Sequence, residues 1–340
     1  MDGSRPILQV QGLSAAFFTR RGVVRAVNDV SFSLAAGQTL GVVGESGCGK
    51  SATAMAILRA LPFPGRVTGG KVLFEGEDLL AKSEPEMQRI RGRRIGMIPQ
   101  DPTASLNPVM TAGKHIIEVL QVHLGMSHAE ARERAAELLH TVGIPEPELR
   151  LHAYPHQLSG GMRQRLMIAM AIACRPAALI ADEPTTALDA TVQAQILELL
   201  RSLCAQLGTA TMLITHNLGV VAGLCDTVLI MYAGRVVEQA ATEELFARPR
   251  HPYTVGLLRC VPRVDQVGLA ELWSIPGQPP DLIKPLPGCA FAPRCPLSSD
   301  ECWEALPPLA PQGGTGHLCA CWHADEVEGL KTWKLQESLG

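Results

Sequence analysis

Aromatic residues are scarce in this 340-residue chain, at 4%, and neither sign of charge dominates, with 30 Lys and Arg against 33 Asp and Glu. That near balance excludes a general nucleic-acid binder, which needs a basic surface to meet phosphates. Long apolar runs are missing as well: the longest, Leu166 to Cys174, is about half of the ~18–20 residues that a bilayer-spanning helix requires. The opening segment, Met1 to Pro6, lacks the apolar core of a signal peptide. The expectation is a cytoplasmic chain, with any membrane link made through a partner. Its ten cysteines are then more readily buried, reactive or metal-bound than paired, because that compartment keeps thiols reduced. Disorder is excluded by a composition that is 46% hydrophobic and 19% charged. A length of about two domains, at ~100–200 residues each, excludes a disulfide-stapled mini-protein.

What is present is unevenly placed. All four tryptophans (Trp273, Trp303, Trp322, Trp333), five of the ten cysteines (Cys289, Cys295, Cys302, Cys319, Cys321) and ten of the 25 prolines lie beyond residue 272. Proline at that density forbids long helices and implies a loop-rich module held by something other than periodic packing. Upstream, the short apolar runs Ile7 to Val10, Thr39 to Val43, Ala178 to Ala181, Thr211 to Ile214 and Thr227 to Met231 are separated by helix-like stretches. They predict strands with crossover helices, an α/β core. Between about Thr103 and Arg165 the spacing turns to a 3.6 period, as in Ala129 to Leu139, which predicts a helical insertion. A change of texture near Ala247 to Pro262 divides the chain into residues 1–246 and 247–340.

The run Thr39-Leu40-Gly41-Val42-Val43 leads into Gly44-Glu45-Ser46-Gly47-Cys48-Gly49-Lys50-Ser51, which fits G-x-x-x-x-G-K-[ST], and a helical run from Ala52 follows. Strand, loop and helix in that order make a phosphate cradle. Glycines let the backbone amides curl round a β-phosphate, Lys50 bridges the β- and γ-phosphates, and Ser51 ligates magnesium. Thr53 offers a hydroxyl toward the α-phosphate. Cys48, beside phosphate-binding amides, is expected to be tolerated structurally but sensitive to alkylation. Further on, Ala177 to Glu183 is an apolar strand ending in two acids. Asp182 reads as the magnesium-side carboxylate and Glu183 as the base that polarises the attacking water, although an Asp-Glu-Pro turn opening a helix has the same residues.

The peptide Leu158-Ser159-Gly160-Gly161-Met162-Arg163-Gln164-Arg165 precedes an apolar helix, with Gln100 and Asp182-Glu183 on either side and Ala187-Leu188-Asp189 and His216 after it. In this order the set resembles the signature and accompanying motifs of ABC-type ATPases. The resemblance implies a P-loop ABC ATPase core, a mixed sheet with crossover helices and a helical subdomain over about 103–165. It also implies that Leu158, Ser159, Gly160, Gly161, Met162 and Gln164 present a helix N-terminus in trans to the γ-phosphate held by the opposite cassette, so that two nucleotides are sandwiched in a dimer. By the same resemblance, Gln100 senses magnesium and the attacking water, giving a metal shell of Ser51, Gln100 and Asp182. His216 contacts the γ-phosphate and orients Glu183, and Asp189 lines the dimer seam. Gly44 to Thr53, Gln100 and His216 bind ATP, with the adenine stacked on Phe17 or, as the rival, Phe18.

The tail carries a second likeness. His251-Pro252-Tyr253-Thr254, Ile275 to Leu282 and Gly288 to Cys295 resemble the C-terminal extension of ATPase subunits from dipeptide, oligopeptide and nickel importers, so that the match covers nearly the whole chain. In that family four cysteines at this spacing bind a 4Fe-4S cluster; the matching positions are Cys289, Cys295, Cys302 and Cys321, with Cys319 as the competitor for the fourth. Four thiolates also suit tetrahedral zinc, and the wide gaps lean toward the cluster. A small proline-rich module gains folding free energy from such bonds, so a structural staple is the conservative reading and a redox role the sharper one.

The resemblance implies the ATP-hydrolysing subunit of an importer of dipeptides, oligopeptides, nickel or a related solute, a translocase peripheral to the cytoplasmic face of the inner membrane. It implies two permease subunits, an extracytoplasmic solute-binding protein and a second ATPase subunit, in a heterodimer rather than a homodimer, and no nucleic acid. The alternative is a soluble ABC ATPase with an iron–sulfur redox or sensing role and no part in transport.

Overall fold

The computed structural model describes residues 6–186, 188–261, 274–284, 286–312 and 316–332. Ala187, Trp273 and Trp333, named above, lie outside them. The chain forms two compact units, Met1–Gln9 with Ser33–Thr39 and Val72–Ile214, and Val10–Phe32 with Leu40–Lys71 and Thr215–Gly340.

In the first unit the strands Ile95–Ile98, Ala178–Asp182 and Ala210–Thr215 pair in parallel, with Ile98 opposite Ala181 and Asp182 opposite Ile214. Ala178–Asp182 is buried at every position, which is why it reads as an unbroken apolar run rather than an alternating one. The expected helical insertion is present as Ala112–Leu124, His128–Thr141 and Gly160–Ile172, with short turns at Pro102–Ser105 and Pro147–Arg150. Local chemistry sets the ends. Ser127 and Glu130 close a capping box at the start of His128–Thr141, and Gly125, at φ 66°, ends the helix before it. Ile116, Leu120, Ala131, Ala135, Leu138 and Leu139 form the buried stripes that hold these helices together.

In the second unit Thr39–Val43 runs parallel to Thr227–Tyr232, with Val43 opposite Ile230. Thr227–Tyr232 then turns back on Arg235–Ala241, and Ala233 and Gly234 both take positive φ, 49° and 81°, as a two-residue hairpin turn requires. Parallel and antiparallel pairs share the strand Thr227–Tyr232, so the sheet is mixed. The proline-rich tail contributes two short strands: His317–Cys319 pairs with Arg235–Ala241, and Ala310–Gln312 pairs with His317–Cys319. Its helices are short, as the prolines demand, the α-helix Asp300–Glu304 having five residues. The tail core is a ring cluster in which Phe291 meets Tyr232, Tyr253 and His251 at centroid distances of 5.3, 5.4 and 5.8 Å.

Candidate nucleotide site

The loop Gly44–Lys50 bridges the buried strand Thr39–Val43 and the helix Lys50–Ile57. Gly49 sits at φ 105°, and a Cβ there would run into the carbonyl of Ala26, so only glycine fits that turn. Lys50 is buried, and its ammonium donates to the carbonyls of Gly44 (2.7 Å) and Glu45 (3.0 Å). Ser46 and Gly47 form the exposed crest of the loop, and Ser51 and Ala52 are half-buried at the helix start. Two expectations need correction. The Thr53 side chain is fully buried and its hydroxyl donates to the Gly49 carbonyl at 2.9 Å, so it does not face a phosphate. Cys48 is buried too, and burial pushes its thiol up by more than the nearby Lys50 pulls it down, which is the reverse of an activated thiolate.

Phe17 is half-buried with its ring against Gly65, whereas Phe18 is exposed beneath the Arg66 guanidinium, 5.9 Å from the ring centroid. His216 is exposed at the end of Ala210–Thr215, just before Asn217 caps the helix Leu218–Leu224.

In the other unit, Asp182 is a buried carboxylate at the end of its strand, and Glu183 follows at φ 44°, a left-handed backbone that an L-residue holds only under constraint. The constraint is visible. Its N–H donates to the Ile214 carbonyl at 2.9 Å, and its carboxylate accepts from Gln100 (3.1 Å) and the Thr186 hydroxyl (2.9 Å). Strain of this kind aims a carboxylate and holds it there, as a base that must orient a water molecule needs. Ser159 caps Gly160–Ile172 by accepting from the Met162 N–H at 3.3 Å, and Arg163 ties the preceding turn down through the carbonyls of Pro155 and Leu158. Ser159 and Gly160 are exposed, Leu158 and Gln164 buried. Asp189 is exposed and caps Ala190–Leu207 by accepting from the Val192 N–H at 3.0 Å.

Cys289, Cys295, Cys302 and Cys321 line one small cavity of about 10 Å³, together with His251 and His323, and Cys319 does not. Cys319 instead stands opposite Glu238 in the sheet, where burial first and that carboxylate second push its thiol up. Burial raises the Cys295 and Cys321 thiols to about 12, and the buried His251 Nε2 has no hydrogen-bond partner. Soft sulfur donors around one cavity suit a sulfur-loving metal group in kind, although the His323 N–H already donates to the Cys321 sulfur at 3.4 Å. In spacing they do not: among the described residues no group of three or more His, Cys, Asp or Glu side chains could hold a metal ion. A preformed four-cysteine centre, zinc or iron–sulfur, is therefore not supported.

Sequence reasoning passed over the residues that support the phosphate loop. Tyr253 accepts the Glu45 N–H at 2.8 Å, and Arg294 grips the Glu45 carboxylate with two nitrogens at 2.7 and 3.0 Å. Both residues stand inside motifs quoted for the tail, but nothing local assigns them to a loop more than 200 positions away.

A strand–loop–helix phosphate cradle, a carboxylate pair at the end of a parallel strand and a glycine-led signature helix define the class of ATP-hydrolysing ABC cassettes. Residues 27–186 match the ABC transporter family model, and residues 237–302 match that of the oligopeptide/dipeptide transporter C-terminal region. The chain is 52% identical to the oligopeptide transport ATP-binding protein OppD of Salmonella typhimurium over 93% of both chains. It is 49% identical to the dipeptide transport ATP-binding protein DppD of Bacillus subtilis over 94% of this chain and 95% of that one. Among solved structures it is similar to the dimeric post-hydrolysis state of the ATP-binding cassette MJ0796 bound to ADP and phosphate, with a TM-score of 0.62 and 27% identity over 69% of this chain and 98% of the other. The chain belongs to the family of ATP-binding subunits of oligopeptide and dipeptide ABC transporters. No helix among its described residues is long and apolar enough to cross a membrane.

Proposed function

We propose that this chain binds Mg-ATP on the loop Gly44–Ser51 and hydrolyses it to drive peptide uptake through membrane-embedded permease partners. The observation that carries hydrolysis is the Glu183 carboxylate, held in a strained backbone by Gln100 and Thr186 at the end of a buried strand. Lys50 neutralises the β- and γ-phosphates, Ser51, Gln100 and Asp182 would hold magnesium, His216 meets the γ-phosphate, and Phe17 takes the adenine. The metal supplies charge neutralisation at the phosphates. Ser159, Gly160 and Gly161 serve a second cassette in trans, since Ser159 already caps its helix while the first amides remain at the surface. The peptide cargo is supported by the names of the relatives and by the match of the tail, and a heterodimer with a second ATPase subunit beside two permeases is the assembly we favour. The working position is the cytoplasmic face of the membrane, and a solute-binding protein delivers the cargo. Reconstitution with the cognate permease subunits tests this: ATP turnover should rise severalfold with peptide-loaded binding protein, and turnover indifferent to the permease would overturn the transport reading.

A further inference from the structure

Arg294 is an unusual residue to bury. Its side chain is 3% exposed, and it lies in the tail, outside every nucleotide motif. Its nitrogens are nonetheless fully committed. Nε donates to the Pro276 carbonyl at 2.8 Å; one terminal nitrogen donates to the Glu45 carboxylate at 2.7 Å and the Tyr232 hydroxyl at 3.2 Å; the other donates to Glu45 at 3.0 Å and the Ile275 carbonyl at 3.2 Å. A guanidinium has five N–H groups in a rigid fork, and all five are matched here. The two bonds to Glu45 form the bidentate carboxylate clamp that lysine cannot reproduce.

Glu45 is the second residue of the phosphate loop. Its carboxylate is held by Arg294 and its N–H is donated to Tyr253, so both its ends are fixed by residues of the tail. Its charge matters as much as its position. A bare carboxylate on a loop built to receive a triphosphate would repel that ligand, and the repulsion is strong where water is excluded. The buried guanidinium cancels it.

We propose that Arg294 is a positioning residue for nucleotide binding: by clamping Glu45 it fixes the phosphate loop and removes a carboxylate charge from the path of the triphosphate, which makes the C-terminal extension a working part of the ATP site. The inference rests on the reading of Gly44–Ser51 as the ATP loop. Tyr253 supports it from the backbone side, and the ring cluster of Phe291, Tyr232 and Tyr253 keeps both supports in register.

The test is the Mg-ATP dissociation constant of the full chain, read with a fluorescent nucleotide, for the wild type, Arg294→Gln and Glu45→Gln/Arg294→Gln. Arg294→Gln should weaken binding about tenfold, ~1.4 kcal/mol, because it leaves the Glu45 charge unopposed. The double variant removes that charge as well and should recover at least about threefold of the loss. A merely structural role moves the other way, since two changes in one network would bind no better than one. Wild-type affinity in Arg294→Gln, or a double variant as weak as the single one, overturns the proposal; a wild-type chain that does not bind ATP overturns the underlying reading instead. Should Arg294→Gln fail to fold, hydrogen exchange of the segment 44–51 in Glu45→Gln carries the test. Exchange several times faster than in the wild type, at an unchanged melting temperature, supports the clamp, and unchanged exchange overturns it.

Discussion

Glu183 and Glu45 are both carboxylates of the nucleotide machinery, yet they are secured by different means. Glu183 is held by Thr186, three positions on, by Gln100 in its own unit and by a backbone bond to Ile214. Glu45 is held by Tyr253 and Arg294, 208 and 249 positions further along the chain. The first arrangement draws on residues no more than 83 positions away and is partly strained, and it serves a group that must act on a reacting water. The second is long-range and saturated with hydrogen bonds, and it serves a loop that must stay still. The catalytic group is placed by a strained backbone and bonds within its own unit, whereas a binding loop rich in glycine borrows its stiffness from the far end of the chain.

The largest effect should come from removing the base while keeping its frame. Glu183→Gln retains the shape and the bond-forming oxygen but cannot accept a proton, so turnover should fall by about 10²–10⁴. Mg-ATP binding should stay within about twofold of the wild type, because the phosphate loop does not depend on Glu183. Single-turnover hydrolysis and equilibrium binding on the same preparation check both halves, and turnover near the wild-type rate would remove Glu183 from the role of base.

The reverse pattern is expected at Phe291. The ring is 1% exposed and central to the cluster that carries Tyr253 and Arg294, and truncating a buried Phe to Ala costs about 3–5 kcal/mol. Phe291→Ala should shift the urea midpoint of the second unit and weaken ATP binding together, while the residual bound ATP is turned over at close to the normal rate. If stability falls and affinity does not, the tail is not a support of the loop.

Gln100→Ala sharpens the Glu183 side of the comparison. It deletes the Gln100 bond to the Glu183 carboxylate and leaves the Thr186 hydroxyl in place, so turnover should drop by about tenfold with little change in affinity. Titrating ATP in steady-state assays separates the two constants, and an effect on KM alone would move Gln100 from the reacting water to the nucleotide.

The motifs were legible because each is contiguous: Gly44 to Ser51, Ser159 to Arg165 and Ala177 to Glu183 carry their own turn chemistry and their own flanking strand or helix. The same locality made the helical insertion readable from the period of Ala129 to Leu139. What was not legible came from pairing across the chain. The tail strand His317–Cys319 is three residues long, too short for a periodic signal, and exists because Arg235–Ala241 offers it an edge. Arg294 looked like one residue of a cysteine motif, and Thr53 looked like a phosphate ligand, because spacing along the sequence does not say which way a side chain turns. The cysteines show both sides. Cys289, Cys295, Cys302 and Cys321 line one cavity and Cys319 does not, which says where they lie and not what they hold. That no group among the described residues could hold a metal ion is a property of the folded chain that spacing along the sequence does not carry.

Cys48 gives the smallest expected effect and the cleanest contrast between a motif and its setting. Its position in the loop suggests a reactive thiolate, since the amides around it are arranged for an anion. Its surroundings oppose that: the side chain is 5% exposed and packed beneath Gly44, and burial outweighs the pull of Lys50, whose ammonium lies 3.8 Å from the sulfur. The thiol should therefore remain protonated at neutral pH, and access to it requires the loop to open. Maleimide labelling followed by site-resolved mass spectrometry should find Cys48 at least ~10-fold slower in the native chain than in urea, with opening of the loop as the limiting step. Arg294→Gln, which frees Glu45, should narrow that difference, tying the reactivity of a loop cysteine to a tail arginine that never touches it. Fast labelling of Cys48 in the native wild type would show that the loop opens readily despite the clamp, and would place its stiffness elsewhere.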